Sequence, residues 1–189
     1  MVRVIREKLI FLHKFICSPG QIGSVTPSSG FLAKKMMEPV TWGKMEYAAE
    51  LGAGTGAITR YVNRAKPKKT KVLLFEKDPY LRTRLARDFP DYACYADACE
   101  LRSALQEEGI DGLDCIWSGL PFFNFPQAVR DRLMEQIAAS LKPGGLFIAF
   151  QYSLQMKEQL GGVFDIEHIR FVPLNVPPAF VYVCKKKEE

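Results

Sequence analysis

The stretch of this sequence best equipped for chemistry is Glu50-Leu51-Gly52-Ala53-Gly54-Thr55-Gly56, three glycines at alternate positions behind an acid. Glycine lets a backbone turn sharply and approach a ligand closely, and a helix following such a turn offers unpaired N–H groups. Spacing decides what the turn can hold. A dinucleotide turn needs Gly-x-Gly-x-x-Gly to seat a pyrophosphate, whereas here the run is Gly-x-Gly-x-Gly. A phosphate-cradling Gly-Lys-Ser/Thr is absent, because Ala57 follows Gly56. Two further acids close later apolar runs: Glu76, 20 residues past Gly56, and Asp97. Taken alone they also read as a capping acid and a turn acid, and Asp78, just before Pro79, reads as a helix cap. Metal and thiol chemistry have little raw material. The five cysteines (Cys17, Cys94, Cys99, Cys115, Cys184) form no Cys-x-x-Cys pair, and there are two histidines. That pattern argues against a zinc site or a disulfide framework and for a reducing, cytoplasmic setting.

These residues need strands and helices to position them. From about Met45 the sequence alternates. Strand-like runs are Glu46–Leu51, Lys71–Glu76, Ala93–Ala96, Asp114–Ser118 and Leu146–Tyr152. Helical stretches separate them: Thr55–Ala65, Pro79–Phe89, Glu100–Glu108 and Pro126–Leu141, the last stopped by Pro143-Gly144-Gly145. Such β-α alternation predicts a parallel, doubly wound sheet with ligands beyond the carboxyl ends of its strands. The runs Phe164–Leu174 and Phe180–Lys185, with a turn at Val176-Pro177-Pro178, predict an antiparallel hairpin at the sheet edge. A helix over residues 2–17, ended by Ser18-Pro19-Gly20, and a second from Thr26 to Glu38 precede all this. The expectation is therefore an α/β fold with N-terminal helices and a seven-stranded, mostly parallel sheet that ends in an antiparallel hairpin.

Length and charge set outer bounds. The chain has 189 residues, enough for one sizeable core. Its net charge is +5, and residues 1–44 hold the whole excess, with seven Lys/Arg against two acids. A basic segment points to an anionic partner, a phospholipid surface or a nucleic acid, or else to a solvated helix face. The run Leu9–Ile16 is too short to span a membrane and contains His13 and Lys14, and no signal-peptide cleavage site follows it. The apolar arc of the first helix suits a membrane interface and the domain's own core equally. Oligomeric state stays open.

The glycine run resembles the cofactor loop of the class I, Rossmann-like methyltransferases, [Glu/Asp]-x-Gly-x-Gly-x-Gly. This resemblance implies S-adenosyl-L-methionine as cofactor, held around Glu50, Gly52, Ala53, Gly54 and Gly56. It implies that Glu76 accepts the ribose hydroxyls, that Asp97 accepts from the adenine amino group beside Ala98, and that Lys77 and Ser118 lie at the site. The segment after the fourth strand, Ser118-Gly119-Leu120-Pro121-Phe122, is similar to the Asn-[Ile/Leu]-Pro-[Tyr/Phe] of rRNA adenine N6-dimethylases, but Gly119 stands where their asparagine would accept from the base. A narrower similarity covers nearly the whole chain from about residue 20. Gly23–Ser29, the glycine loop, SGLPFFNFP (Ser118–Pro126) and Asn175-Val176-Pro177-Pro178-Ala179 together resemble bacterial phospholipid (phosphatidylethanolamine) N-methyltransferases of the soluble, peripheral type.

That second resemblance implies N-methylation of an aminophospholipid headgroup at the inner membrane surface, with no metal and with nucleic acid disfavoured as a partner. An rRNA adenine N6-methyltransferase-like enzyme or a small-molecule methyltransferase is the alternative. Residues 1–44 would form basic helices and a cofactor-covering segment ahead of one catalytic unit, 45–189. Gln21 and Thr26 would offer polar groups over the cofactor. Phe122, Phe123 and Phe125 would wall a dry pocket that lowers the pKa of the acceptor amine by desolvation, and Tyr152 would orient that amine. For the rings, ordinary core packing is the competing reading.

Overall fold

Short, mostly apolar runs make the sheet, and the elements that return the chain lie on its two faces. The structure, a computed structural model, describes residues 28–187. In chain order the elements are α1 (Gly30–Met37), β1 (Tyr47–Leu51), α2 (Thr59–Ala65), β2 (Lys71–Phe75), α3 (Pro79–Asp88), β3 (Ala93–Tyr95), α4 (Leu101–Glu107) and β4 (Leu113–Ser118). They continue with α5 (Gln127–Ser140), β5 (Leu141–Gln151), α6 (Lys157–Val163), β6 (Phe164–Val172) and β7 (Ala179–Lys186). Single 3-10 turns sit at Trp42–Lys44, Ala98–Glu100 and Phe122–Asn124.

The seven strands form one sheet in the order β3-β2-β1-β4-β5-β7-β6. β1 through β5 run parallel, and β7 is antiparallel to both β5 and β6. The fold class and the edge hairpin are as the sequence predicts, with the hairpin's second strand inserted against β5. Both faces of the central strands are buried, as parallel strands covered by helices must be. Ala48, Val72, Leu74, Cys115 and Trp117 face α1, α2 and α3. Ala49, Leu73, Phe75, Ile116 and Phe147 face α4, α5 and α6. The order reverses between β1 and β4, whose chains leave toward opposite sides of the sheet. This switch point opens a crevice at the carboxyl ends of the strands.

Several boundaries differ from the sequence expectation for local reasons. α1 starts at Gly30 rather than Thr26, because the Ser29 hydroxyl caps it by accepting from the Leu32 N–H at 3.2 Å. α2 starts at Thr59 rather than Thr55: Gly52, Gly54 and Gly56 all adopt positive φ, and residues 54–58 are in turns. Pro143-Gly144-Gly145 does not stop a helix. α5 has already ended at Ser140, and the three residues form an irregularity inside β5, whose pairing with β4 shifts between Leu113/Leu141 and Cys115/Leu146. α6, with Gly161 and Gly162 in its seven residues, carried no helical signal in the sequence. The expected helix over residues 2–17 lies outside the described residues.

Candidate active site

The loop after β1 is anchored before it becomes free to meet a ligand. Gly52 and Ala53 both donate their N–H groups to the Phe75 carbonyl at the end of β2, at 2.8 and 3.1 Å. The Gly54 N–H then donates to Glu76 Oε2 at 2.7 Å, and Glu76 Oε1 accepts from the Asp78 N–H at 2.9 Å. Glu76 thus ties the glycine loop to the turn that opens α3, and Asp78 caps that helix through the Leu81 N–H at 2.8 Å. Arg82, which the sequence did not mark out, donates to the carbonyls of Glu76 and Lys77 at 2.9 and 3.2 Å and fixes the same turn. The Lys77 side chain itself is exposed. Glu76 keeps accepting capacity, since two carboxylate oxygens offer about four lone-pair sites.

A side chain at position 54 would meet no atom within 4 Å, whereas one at Gly56 would press on Phe89 and Leu85. The loop is therefore open at Gly54 and packed at Gly56, the arrangement of a cradle with one ligand-facing wall. Below it, Glu50 is fully buried. Its Oε2 accepts from the Thr59 hydroxyl at 2.8 Å, and its Oε1 has no partner. Burial raises the Glu50 pKa to about 8, against the opposing Thr59 hydrogen bond, and the nearby Glu76 charge adds to the rise. Thr59 was not legible as a site residue, because nothing in the sequence places it against Glu50.

The remaining expected cofactor residues sit along the same sheet edge. Asp97 is exposed two residues beyond the short β3, and its Oδ1 accepts from the Cys99 N–H at 2.8 Å, capping the 3-10 turn that contains half-buried Ala98. Ser118 is buried, and its hydroxyl accepts from the Leu120 N–H at 3.2 Å, a local turn. Gly119 donates to the Leu51 carbonyl at 2.9 Å, so the β4 loop lies against the glycine loop. A Cβ on Gly119 would come within 3.1 Å of the Gly52 carbonyl oxygen. Gln151, at the end of β5 and not anticipated, donates to the Leu120 and Phe150 carbonyls at 2.8 and 2.6 Å and locks the loop from the other side. Gln21 and Thr26 lie outside the described residues.

The aromatic residues separate. Phe122 is 1% exposed and packs edge-on against Phe125 and Phe147, on the α4–α6 face. Its ring packs within the core cluster of that face, the competing reading for these aromatic residues. Phe123 is half exposed, with the Arg130 guanidinium 5.7 Å from its ring centre. Tyr152 is half-buried, edge-on to Phe150, on the sheet face that also carries Ala53 and Ile58 of the glycine loop.

Among the described residues no group of histidine, cysteine and acidic side chains could hold a metal ion. The residues do fit a nucleoside with a charged amino-acid tail. The open face at Gly54, the carboxylate of Glu76 beside it and the unpartnered Glu50 oxygen form an acidic cradle without phosphate-binding features.

Solved structures share this fold. The Burkholderia thailandensis 1,6-didemethyltoxoflavin-N1-methyltransferase, crystallised with 1,6-didemethyltoxoflavin and S-adenosylhomocysteine, superposes with a TM-score of 0.68 at 14% identity, over 98% of this chain and 89% of that one. A TehB-like SAM-dependent methyltransferase from Corynebacterium glutamicum gives a TM-score of 0.60 at 15% identity, over 96% and 99%. The fold is that of the class I S-adenosylmethionine-dependent methyltransferases. No family model matches the chain. A curated relative does: the ornithine lipid N-methyltransferase of Singulisphaera acidiphila is 30% identical over 97% of this chain and 98% of its own length. The chain belongs to the family of that enzyme and is an S-adenosyl-L-methionine-dependent methyltransferase.

Proposed function

We propose that this enzyme methylates the amine of an aminolipid headgroup, working as a peripheral protein at the cytoplasmic surface of the inner membrane. One observation carries the reading: end-to-end similarity, at 30% identity, to an enzyme named for N-methylation of ornithine lipid. Phosphatidylethanolamine, the acceptor implied by the SGLPFFNFP and NVPPA segments, presents the same chemistry, a primary amine on a headgroup carried by acyl chains. No helix among the described residues is long and apolar enough to cross a membrane, in keeping with a surface-bound catalyst.

When bound, the cofactor supplies an electrophilic methyl group. Glu76 would hold its ribose, Asp97 its adenine, and the open Gly54 face with Glu50 its amino-acid tail. The protein's other task is to present a neutral amine, because an ammonium has no lone pair with which to attack. Phe123 and Tyr152, on the loops after adjacent strands β4 and β5, would form the acceptor side of the crevice. There, desolvation shifts the amine toward its neutral form, and the ring faces can hold the methylated ammonium products. Positioning the two reactants supplies much of the rate.

Adenine-directed chemistry is disfavoured at the same loop. Gly119 offers no side-chain acceptor, and a Cβ there would lie tight against the Gly52 carbonyl oxygen, at 3.1 Å. The test is transfer of labelled methyl from the cofactor to vesicles of phosphatidylethanolamine, to vesicles of ornithine lipid, and to an rRNA fragment. Label in either aminolipid and none in RNA is expected. Label in RNA, or in neither lipid, overturns the proposal.

A further inference from the structure

Exposed hydrophobic side chains are usually scattered singly over a protein surface and need no explanation. Here they are gathered at one edge. Tyr80 opens α3 just past β2, Phe123 lies just past β4, and Leu154 lies just past β5. Phe171 is in the last turnings of β6, and Leu174 and Val176 lie in the turn to β7. β6 and β5 are both antiparallel to β7, so β6 ends at the same edge as β1 to β5. Phe31 joins them because the Ser29 N–H donates to Asn175 Oδ1 at 3.0 Å, which pins the start of α1 to the β6–β7 turn. These are all the large exposed hydrophobics of the described residues. At the opposite edge the loops carry Lys66, Lys68, Lys69, Asp111 and Lys187, while Phe89, Tyr92 and Ile110 there are buried.

The densest part of this rim is held in shape from inside. Asn175 is 3% exposed; besides accepting from Ser29 it donates through Nδ2 to the Pro177 carbonyl at 2.7 Å. Its neighbours Leu174 and Val176 point outward, Leu174 with 62% exposure. Phe171, 55% exposed, lies against Phe180 with ring centres 5.0 Å apart. A buried clamp that keeps apolar side chains in water is a feature of a surface meant to be covered.

We infer that Phe31, Phe171, Leu174 and Val176 enter the boundary between headgroups and acyl chains of an anionic bilayer, so that the edge bearing the glycine loop, Glu76 and Asp97 faces the lipid. The inference rests on the aminolipid reading and adds to it the docking face. Two observations choose a membrane as the occupant. The chain preceding Ser28 joins the fold at this edge, and its 27 residues carry Arg3, Arg6, Lys8 and Lys14 against the single acid Glu7. α1 adds exposed Lys34 beside Phe31. A basic segment joined in sequence to an apolar rim complements an anionic interface. Docking by this edge also brings a headgroup amine to the crevice without drawing its acyl chains into water.

The test uses the full chain and vesicles of phosphatidylethanolamine with phosphatidylglycerol. Leu174→Asp and Val176→Asp should each lower vesicle binding by about tenfold or more, as loss of one inserted aliphatic side chain requires. Cofactor affinity and turnover of a water-soluble, short-chain phosphatidylethanolamine should stay within about twofold, since neither residue touches the loop. Unchanged vesicle binding by both variants overturns the docking face. In Leu174→Trp, the added emission should shift to the blue and be quenched by brominated acyl chains when vesicles are added. Emission already shielded before vesicles are present and unquenched by them means that residues 1–27 or a second copy covers the rim, which also overturns the inference. Rim-dependent vesicle binding by an enzyme that methylates neither vesicular nor short-chain aminolipid would sink the acceptor assignment alone.

Discussion

The Gly54 N–H donates to Glu76 Oε2 at 2.7 Å, across 22 residues of sequence. The loop after β1 and the acid closing β2 are therefore one structural unit. Glu76 shapes the cradle even before it meets a ribose. In the proposed cofactor placement, Glu76→Ala removes a carboxylate acceptor from the loop and from the sugar together. Hydrogen bonds to charged groups contribute about 1.5–3 kcal/mol, so cofactor affinity should fall by about ten- to a hundredfold in calorimetry. An unchanged dissociation constant would mean that the ribose is held elsewhere.

Gly54 has φ +55° and open space where a side chain would project. Gly54→Val should cost the cofactor-free protein about 1–2 kcal/mol of left-handed strain while abolishing measurable cofactor binding. Gly56→Val should behave differently. Its side chain would press on Phe89 and Leu85, so the melting temperature should fall steeply. Equal stability losses with equal affinity losses in the two variants would refute the division into an open and a packed glycine.

Sheet, hairpin and glycine loop were legible because each has a local signature: apolar runs, turn residues and glycine spacing. Contacts made across the fold were not. Thr59 under Glu50, Gln151 across to Leu120 and Arg82 behind Glu76 are ordinary polar residues until the sheet brings their partners near. Phe122 and Phe123 are adjacent and identical in type, and only the turn after β4 decides that one enters the core while the other faces solvent. The Pro143-Gly144-Gly145 signal was strong but ambiguous, since the same residues suit a helix stop and a strand irregularity.

Gly119 tests why the chain departs from the base-methylating pattern. Gly119→Asn would supply the missing amide, yet its Cβ would lie 3.1 Å from the Gly52 carbonyl oxygen and 3.4 Å from the Phe150 ring. The expected result is a lower melting temperature and weaker cofactor binding, because the neighbour that must give way belongs to the glycine loop proposed to hold the cofactor. Methyl transfer to an rRNA fragment should not appear. A stable variant that methylates RNA would show that a single side chain separates the two acceptor classes.

Glu50 gives the fold a pH dependence of definite sign. Burial raises its pKa in the folded protein to about 8, whereas an unfolded chain loses that proton near about 4.3. Below this window both states hold the proton, and Glu50 contributes no slope. Between about pH 4.5 and 8 the folded state holds the proton that the unfolded state has released, so stability falls as pH rises, by up to about 1.4 kcal/mol per unit. Urea unfolding of the cofactor-free enzyme and of Glu50→Gln at pH 5, 6, 7 and 8 isolates the effect, because other titrating groups cancel in the difference. The stability of the wild type relative to the variant should decline steadily across that series. A cation placed beside the unpartnered Oε1 would favour the carboxylate and flatten the decline, so the same series with saturating cofactor should show a smaller slope. A slope that is absent without cofactor would mean that Glu50 is already ionised and its second oxygen hydrated.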